Sequence, residues 1–394
     1  MRTQVAIIGA GPAGLLLAQL LHLRGIDSVV LEAKSRHYIE NRVRAGVLEY
    51  QTVDTLRAAG VADRLMREGL EHAGVEILFN RRRHRIDLKG LTGHAVTVYG
   101  QQEVVKDLVE ARLATARPLC FEVEDVTLHD LESDAPSVRF RTAGGAGQVL
   151  ECDFVAGCDG FHGVCRPSIP SSVLRIFERV YPFAWLGILA EVKPASDEII
   201  YANHDNGFAL LSMRSPTISR LYLQCEPDED LSQWPDERVW RELQARLSTE
   251  DGFTLETGPV LQKGVTPMRS FVAEPMRHGR LFLTGDAAHI VPPTGAKGMN
   301  LAVADVRVLS EALAHFYSGG GARRSDKIDA YSATCLRRIW KVQRFSWWVT
   351  SMLHRSRDDN DFDRRRQLAE LDYLTTSPAS ALTFAENYVG LPLA

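Results

Sequence analysis

At 394 residues the chain is longer than one apolar core usually organises, and its 45% apolar content can fill two cores, or one large domain with an insertion. With 46 Lys and Arg against 50 Asp and Glu, the formal charge is -4, so no global positive field draws it to nucleic acid or to an anionic bilayer, and the expected partner is small. No apolar run approaches the ~18 to 20 residues that cross a bilayer, and Met1-Arg2-Thr3-Gln4 runs straight into apolar residues, which predicts a soluble, cytoplasmic protein. Six scattered cysteines form no Cys-x-x-Cys pair, so reduced thiols are expected and no metal site.

In chain order, residues 3–8 read as a β-branched strand, 9–14 as a glycine turn, 15–23 as a helix closed by Gly25, and 28–31 as a second strand, together a βαβ unit. Helices are predicted at 63–69 and 103–116, and short strands at 75–79, 85–88 and 95–98. Two alternating strands flank Ala143-Gly144-Gly145 within 122–154, the pattern of an antiparallel hairpin or meander. From 175 to 267 the pattern changes to mixed strands at 184–192, 198–201, 208–213 and 220–224, which reads as a sheet-based second domain. Residues 279–288 then return to the strand-then-glycine grammar, so that second domain is an insertion. Helices at 299–317 and 328–353, parted by Gly319-Gly320-Gly321, make the C-terminal third helical. The expected fold class is α/β: a Rossmann-like nucleotide-binding domain (1–175), an inserted mixed β-sheet substrate domain (176–268), and a return to the first domain with a helical C-terminal part (269–394).

Gly9-Ala10-Gly11-Pro12-Ala13-Gly14 follows a strand and opens a helix, the context in which Gly-x-Gly-x-x-Gly signals dinucleotide binding. Gly9 serves the tight turn, Gly11 lets backbone approach a pyrophosphate, and Gly14 packs helix on strand; Glu32, ending the second strand, can accept from a ribose. This fingerprint alone leaves FAD and NAD both open. Asp286, after the strand and Gly285, suits the ribityl hydroxyls of a flavin, and Asp159-Gly160 ends another strand near the same crevice. Arg42 and Arg44, in the segment with Ala45, Gly46 and Val47, offer guanidiniums for phosphate, a solvated basic turn being the other reading. Val291 to Asn300 stiffens with Pro292 and Pro293 and leads through Thr294, Gly298, Met299 and Asn300 into a helix whose N-terminus favours the electron-rich edge of a reduced flavin. In the inserted segment, Tyr201, Ser212, Arg214 and Tyr222 form a polar set among apolar residues. Ser212 and Arg214 fall on one strand face by the two-residue period, so they can hold one carboxylate, unless the arginine serves a structural acid. His72 by itself reads as a surface helix residue. Arg81-Arg82-Arg83-His84-Arg85 reads as a solvated turn rather than a nucleic-acid patch, and Phe345-Ser346-Trp347-Trp348 as core or subunit packing rather than membrane contact.

The three nucleotide segments in this order resemble the single-component flavoprotein hydroxylases of the aromatic ring. Glu178-Arg179-Val180-Tyr181-Pro182-Phe183, Tyr201-Ala202-Asn203-His204, Gly285 to Gly298 and Glu386-Asn387-Tyr388-Val389-Gly390-Leu391-Pro392 extend the resemblance essentially end to end. It implies bound FAD, NADPH or NADH as cosubstrate, O2, and a C4a-hydroperoxyflavin that hydroxylates 4-hydroxybenzoate at its 3-position to 3,4-dihydroxybenzoate. It further implies that Arg214, Ser212 and Tyr222 bind the carboxylate, with Val47, Trp185, Leu210 and Thr294 lining the pocket. The phenol meets Tyr201 and the Pro293 carbonyl, and its proton leaves through Tyr388 to a surface-leading His72. FAD is held by Gly11, Glu32, Arg42, Arg44, Gln101, Asp286 and Asn300; Tyr38, Arg44, His162 and Arg269 take the nicotinamide nucleotide; Asp159 is architectural. Tyr38 and Arg42 favour NADPH, whereas Ala33, standing where an arginine is expected, leaves NADH or dual use open. A homodimer is implied by the resemblance alone. Two other readings stay open: the same chemistry on 3,4-dihydroxybenzoate or an aminobenzoate, and a flavin dehydrogenase or a non-catalytic nucleotide-binding module.

Overall fold

The computed structural model describes residues 1–42, 44, 46–318 and 325–392; the expected role of Ala45 and the glycine spacer at 319–321 lie outside the described residues. A six-stranded sheet runs in the order Arg277–His278, Leu281–Leu283, Phe154–Gly157, Val5–Ile8, Ser28–Leu31, Leu119–Cys120. All its pairings are parallel except the one to Arg277–His278. The central strands Val5–Ile8, Ser28–Leu31 and Phe154–Gly157 are buried along their whole length, and a strand covered on both faces needs an unbroken apolar run rather than alternation. Helix Pro12–Leu23 covers this sheet with Gly298–Tyr317 and the start of Asp326–Leu353, forming one core. The first helix starts three residues earlier than the pattern predicts, because Pro12 carries the fixed φ that suits the first helical position.

A second, eight-stranded sheet holds Arg175–Glu191, Ile199–Ala202, Ala209–Ser215, Ile218–Cys225 and Val260–Glu274. It also takes in Val75–Phe79 and Arg82–Ile86 at one edge and His289–Ile290 at the other, so its strands come from outside 176–268 as well. Its two faces have different chemistry. Ala209, Leu211, Leu221, Leu223, Leu186 and Ile188 point one way and bury Val239, Leu243 and Leu247 of helix Asp236–Leu247. Residues of opposite parity, among them Trp185, Phe208, Leu210 and Tyr222, line the other way.

Several sequence expectations are corrected here. The strand expected at 184–192 is the buried half of a 17-residue strand; its N-terminal half, charged and exposed, pairs with 269–274 and so carries no apolar signature. The strand expected at 85–88 is Arg82–Ile86, and Leu88 instead opens a short helix capped by the Asp87 carboxylate on Gly90 N–H. The basic run is therefore strand rather than turn beyond Arg81. Its cations are ion-paired: Arg82 with Glu250 at 2.8 Å, Arg83 with Glu76 at 3.4 Å, Arg85 with Glu198 at 2.8 Å. A surface cavity of about 490 Å³ beside them is lined by most of these paired groups together with Arg81, His84, Thr249 and Asp251. Among the described residues no helix is long and apolar enough to cross a membrane.

Helices Asp361–Thr376 and Pro378–Val389 complete the C-terminal part. The first carries a full capping box, Asn360 accepting from Phe362 and Asp363 N–H while Asp363 reaches back to the Asn360 N–H. Asn360→Ala leaves those donors uncapped and is expected to lower unfolding stability by about 1 kcal/mol, read as a shifted urea midpoint at unchanged m-value. An unmoved midpoint refutes that role.

Candidate active site

Because the strands of the first sheet are parallel, their carboxyl ends all face one edge, and the segments singled out in the sequence meet there: Gly9 after Ile8, Glu32 after Leu31, Asp159 after Gly157, Asp286 after Leu283. Gly9 has φ 103° and a Cβ there would lie 2.4 Å from the Cys158 carbonyl oxygen; a Cβ on Gly14 would lie 2.0 Å from the Gly9 oxygen. A Cβ on Gly11 would meet nothing within 4 Å, so the space over the helix N-terminus is open where a pyrophosphate needs it. Gly11 caps that helix without a side chain, leaving first-turn N–H groups to a ligand. The Glu32 carboxylate accepts from Ala10 N–H and Lys34 N–H, both at 2.7 Å, which aims it while each oxygen keeps a lone pair for a ribose.

Across the crevice, Asp286 opens to solvent yet is ringed by protein, so desolvation raises its carboxyl pKa against the pull of His289, Arg44 and Arg42. Both expected guanidiniums contribute to that pull. The loop is held by Asp305, which accepts from Gly285 N–H at 2.9 Å and from His289 at 2.6 Å. Asp159 accepts from Cys165 N–H with Oδ2 at 2.9 Å, in keeping with an architectural role, while its Oδ1 is buried without a partner. Gln101 starts the helix Gln101–Ala114, and Gly46 lies so close to the Tyr99 carbonyl that a Cβ would sit 2.0 Å from it. The Asn300 side chain is engaged by the protein itself. Its Oδ1 accepts from Glu49 N–H at 2.9 Å and Thr52 hydroxyl at 2.7 Å, and its Nδ2 donates to Val47 and Ala296 carbonyls at 2.9 and 2.8 Å. The amide is saturated, so only backbone N–H groups of Gly298, Met299 and Asn300 are left to a cofactor. With the open helix start, the aimed Glu32 and the orphaned Asp159 oxygen, the residues present fit FAD.

The expected nicotinamide residues form two groups. His162 packs edge-on against Phe161 with centroids 5.0 Å apart, and Arg269 stacks over the same ring at 4.7 Å while pairing with Glu178 at 3.1 Å. Tyr38 is exposed on the helix Arg36–Asn41, with Lys34 and Arg42 over its ring at 5.9 and 6.0 Å.

The candidate substrate site is built on the face of the second sheet that carries Trp185, Phe208, Leu210 and Tyr222. Tyr201 pairs with Leu210, which pairs with Tyr222, so the three stand in one cross-strand row; Ser212 lies two residues along from Leu210 on the same face. Arg214 breaks the two-residue argument. Met213 pairs with Ser219 and Ser215 with Ile218, so Arg214 is the extra residue of a β-bulge, a device that re-aims a side chain. Its guanidinium donates to the Arg44 carbonyl, its Nε is buried without a partner, and burial lowers its pKa. A desolvated, under-partnered guanidinium is suited to a ligand carboxylate. Sequence reasoning missed Arg220, paired with Ser212, whose Nε donates to the Tyr222 hydroxyl at 3.2 Å. It also missed Gly187, where a Cβ would come within 3.0 Å of Arg220 and 3.2 Å of Tyr222.

At the other end, the Tyr201 and Tyr388 hydroxyls lie 2.8 Å apart, both rings buried, and desolvation pushes both pKa values up. Pro293 opens a single 3-10 turn whose carbonyl accepts from Ala296 N–H at 2.9 Å, keeping a second lone pair. Thr294 is fully buried and Val47 borders the same cluster. His72 overturns its expectation. It lies on the strand Leu70–His72 and is buried, not on a surface helix; both ring nitrogens lack protein partners, and burial lowers its pKa. Beneath the turn, buried Lys297 donates to Glu49 at 2.8 Å and to the Tyr388 carbonyl at 2.7 Å, and Arg338 holds the second Glu49 oxygen at 2.8 Å. The pair joins positions 248 apart in sequence, which no local pattern reveals.

The six cysteines are free, and burial drives the Cys158 thiol up to about 12 and Cys165 well above its ordinary value, so neither is a nucleophile at neutral pH. Behind the pocket, burial pushes His354 down to about 3. The unfolded chain binds that proton near ~6.5 and the folded one does not, so the neutral ring's contribution is complete above ~6.5 and is lost as pH falls toward about 3. We expect wild-type stability to fall more steeply than that of His354→Gln between about pH 7 and about pH 5, by up to ~1.4 kcal/mol per unit. Parallel urea-derived curves contradict it.

The description "FAD binding domain" fits residues 2–346, the span matched by that family's model. A p-hydroxybenzoate hydroxylase of Acinetobacter baylyi (strain ATCC 33305 / BD413 / ADP1) is 52% identical over 393 residues, covering 100% of this chain and 96% of that protein. A 3-(3-hydroxy-phenyl)propionate/3-hydroxycinnamic acid hydroxylase 2 of Burkholderia vietnamiensis (strain G4 / LMG 22486) is 29% identical, over 81% of this chain and 58% of its own length. The crystal structure of p-nitrophenol 4-monooxygenase PnpA from Pseudomonas putida DLL-E4 superposes with a TM-score of 0.83 at 19% identity, covering 99% of both chains, a likeness of fold.

Proposed function

The chain belongs to the FAD-dependent aromatic-ring hydroxylases of the p-hydroxybenzoate hydroxylase type, and from that premise we propose that its substrate is 4-hydroxybenzoate, hydroxylated at the 3-position with NADPH or NADH and O2. The observation that carries the substrate reading is the spacing of opposite chemistries along one sheet face: an under-partnered guanidinium at the Arg214 bulge and a dry hydroxyl pair, Tyr201 and Tyr388, at 2.8 Å. A para-hydroxylated benzoate has a carboxylate at one end and a phenol at the other. Arg214 takes the carboxylate, with Ser212 and Tyr222 beside it and Arg220 orienting the Tyr222 hydroxyl. Tyr201 accepts the phenol hydrogen bond, and the free lone pair of the Pro293 carbonyl offers the same proton a second, alternative acceptor. The phenol proton passes along the hydroxyl pair toward His72, whose unpartnered nitrogens call for bridging water. Losing that proton makes the ring carbon ortho to oxygen electron-rich.

When bound, FAD reduced by the nicotinamide nucleotide activates O2 for transfer to that carbon. Gly11, Glu32, Arg42, Arg44, Gln101, Asp286 and the first turn at Gly298, Met299 and Asn300 would hold it, and Tyr38, His162 and Arg269 with Arg44 would guide the nicotinamide nucleotide. A cytoplasmic location and a homodimer complete the reading, the homodimer resting on the family resemblance. The deciding assay follows nicotinamide oxidation, oxygen uptake and aromatic product together for the FAD-loaded enzyme. 4-Hydroxybenzoate should yield 3,4-dihydroxybenzoate with matching oxygen uptake. Oxidation without oxygen uptake means a dehydrogenase, and product from 3,4-dihydroxybenzoate or an aminobenzoate alone means another ring acid.

A further inference from the structure

Trp185, a wall of the proposed pocket, is anchored from behind by a residue outside the nucleotide segments and the polar set. His354 caps the helix Asp326–Leu353 and is buried. Its ring stacks on Phe208 with centroids 4.3 Å apart and on Phe183 at 4.7 Å, interplanar angles 23° and 7°. Both nitrogens are engaged: Trp185 Nε1 lies 2.7 Å from Nε2, and Nδ1 lies 2.9 Å from the Thr350 carbonyl oxygen. An indole N–H only donates and a carbonyl only accepts, so the proton sits on Nδ1 and the lone pair on Nε2. With the ring neutral, this tautomer is the one the site holds.

Two paths lead from that ring to the groups that meet substrate. Trp185 packs on Tyr222 with centroids 4.7 Å apart, and Phe208 packs toward Tyr201 at 6.3 Å. Thr350, whose carbonyl takes the Nδ1 proton, donates with its hydroxyl to Thr294 at 2.9 Å, next to Pro293. One imidazole thus joins the wall behind the carboxylate end to the turn at the phenol end. Any aromatic ring satisfies the stacking; the two directed bonds require a group that accepts on one side and donates on the other.

We propose that His354 is a positioning residue for ring hydroxylation, its acceptor fixing the Trp185 indole and its donor fixing Thr350, so that the two ends of the substrate pocket keep one relative placement. This rests on the aromatic-acid reading above. A pocket loosened at either end binds substrate less tightly and lets activated oxygen be lost without product.

The test is a double-mutant cycle on the FAD-loaded enzyme. His354→Phe keeps the stack but strands the Trp185 N–H; Trp185→Phe strands Nε2; the double variant strands neither. Breaking one partner of a buried pair costs more than replacing both with apolar rings. At wild-type FAD content, His354→Phe is expected to weaken 4-hydroxybenzoate binding roughly fivefold. Product per nicotinamide oxidised should fall, and the Trp185 indole N–H resonance should shift while the other five of six tryptophans hold theirs. The double variant should recover binding and coupling relative to His354→Phe, short of wild type because the donor to Thr350 is still missing, and His354→Gln, whose amide both accepts and donates, should stay near wild type. If His354→Phe does not fold, Trp185→Phe supplies the break from the other side, and binding and coupling unchanged from wild type in that variant overturn the proposal. Additive effects around the cycle, or an unmoved indole resonance, overturn the proposal. A productive wild type with an additive cycle removes this proposal alone, whereas a wild type that makes no hydroxylated product removes the substrate reading and this proposal with it.

Discussion

Arg214→Ala is expected to weaken 4-hydroxybenzoate binding by roughly 2–5 kcal/mol, about thirtyfold to several thousandfold in Kd. The size follows from where the bulge puts the guanidinium. Arg214 is desolvated, its Nε has no partner, and the Arg44 carbonyl is the acceptor it holds, so a ligand carboxylate meets a charge that the protein has not neutralised. Removing it leaves the carboxylate in a low-dielectric pocket with Ser212 and Tyr222, which are neutral. Arg214→Lys should recover part of the loss, because a point charge cannot reproduce a planar fork. Titration of the FAD-loaded protein with 4-hydroxybenzoate reads the effect directly. Equal dissociation constants for wild type and Arg214→Ala would remove the carboxylate clamp.

Tyr201→Phe should leave substrate binding close to wild type and slow hydroxylation by about 10²–10⁴. The hydroxyl it deletes faces Tyr388 at 2.8 Å in a buried site, so the phenol loses its acceptor and Tyr388 loses the hydroxyl it pairs with on the strand Ile199–Ala202. Desolvation holds both tyrosines neutral near pH 7, which suits them to pass a proton rather than keep a charge. Single-turnover hydroxylation, together with product per nicotinamide oxidised, separates this from a binding defect. A normal hydroxylation rate with normal yield would show that Tyr201 has no part in phenol ionisation.

What the sequence made legible follows from sheet geometry. Gly9, Glu32, Asp159 and Asp286 lie far apart in the chain, yet each ends a strand of one parallel sheet, and parallel strands deliver their carboxyl ends to one edge. A strand-then-glycine pattern therefore predicts convergence without knowledge of packing. The polar set in the second sheet was legible for a related reason, since period-two alternation puts Tyr222, Leu210 and Ser212 on one face.

The remainder depends on contacts that local patterns do not encode. A bulge shifts register without a compositional mark, so Arg214 looked like a ladder residue. His72 follows a helix and carries a polar side chain, yet a three-stranded sheet with Val47–Leu48 and Val96–Val98 buries it. The Asn300 amide has four partners, at Glu49, Thr52, Val47 and Ala296, three of them remote in sequence, so its saturation leaves no local mark. His354 lies 169 positions from Trp185, and only the folded core brings the indole to the imidazole.

On the proposed function, one benzoate spans the sheet face from the Arg214 bulge to the Tyr201 hydroxyl. The most direct test is a crystal structure of the FAD-loaded protein with 4-hydroxybenzoate. The carboxylate is expected on the Arg214 guanidinium and the phenol oxygen within hydrogen-bonding reach of Tyr201. A substrate bound the other way round, or bound with both groups unfilled, contradicts it.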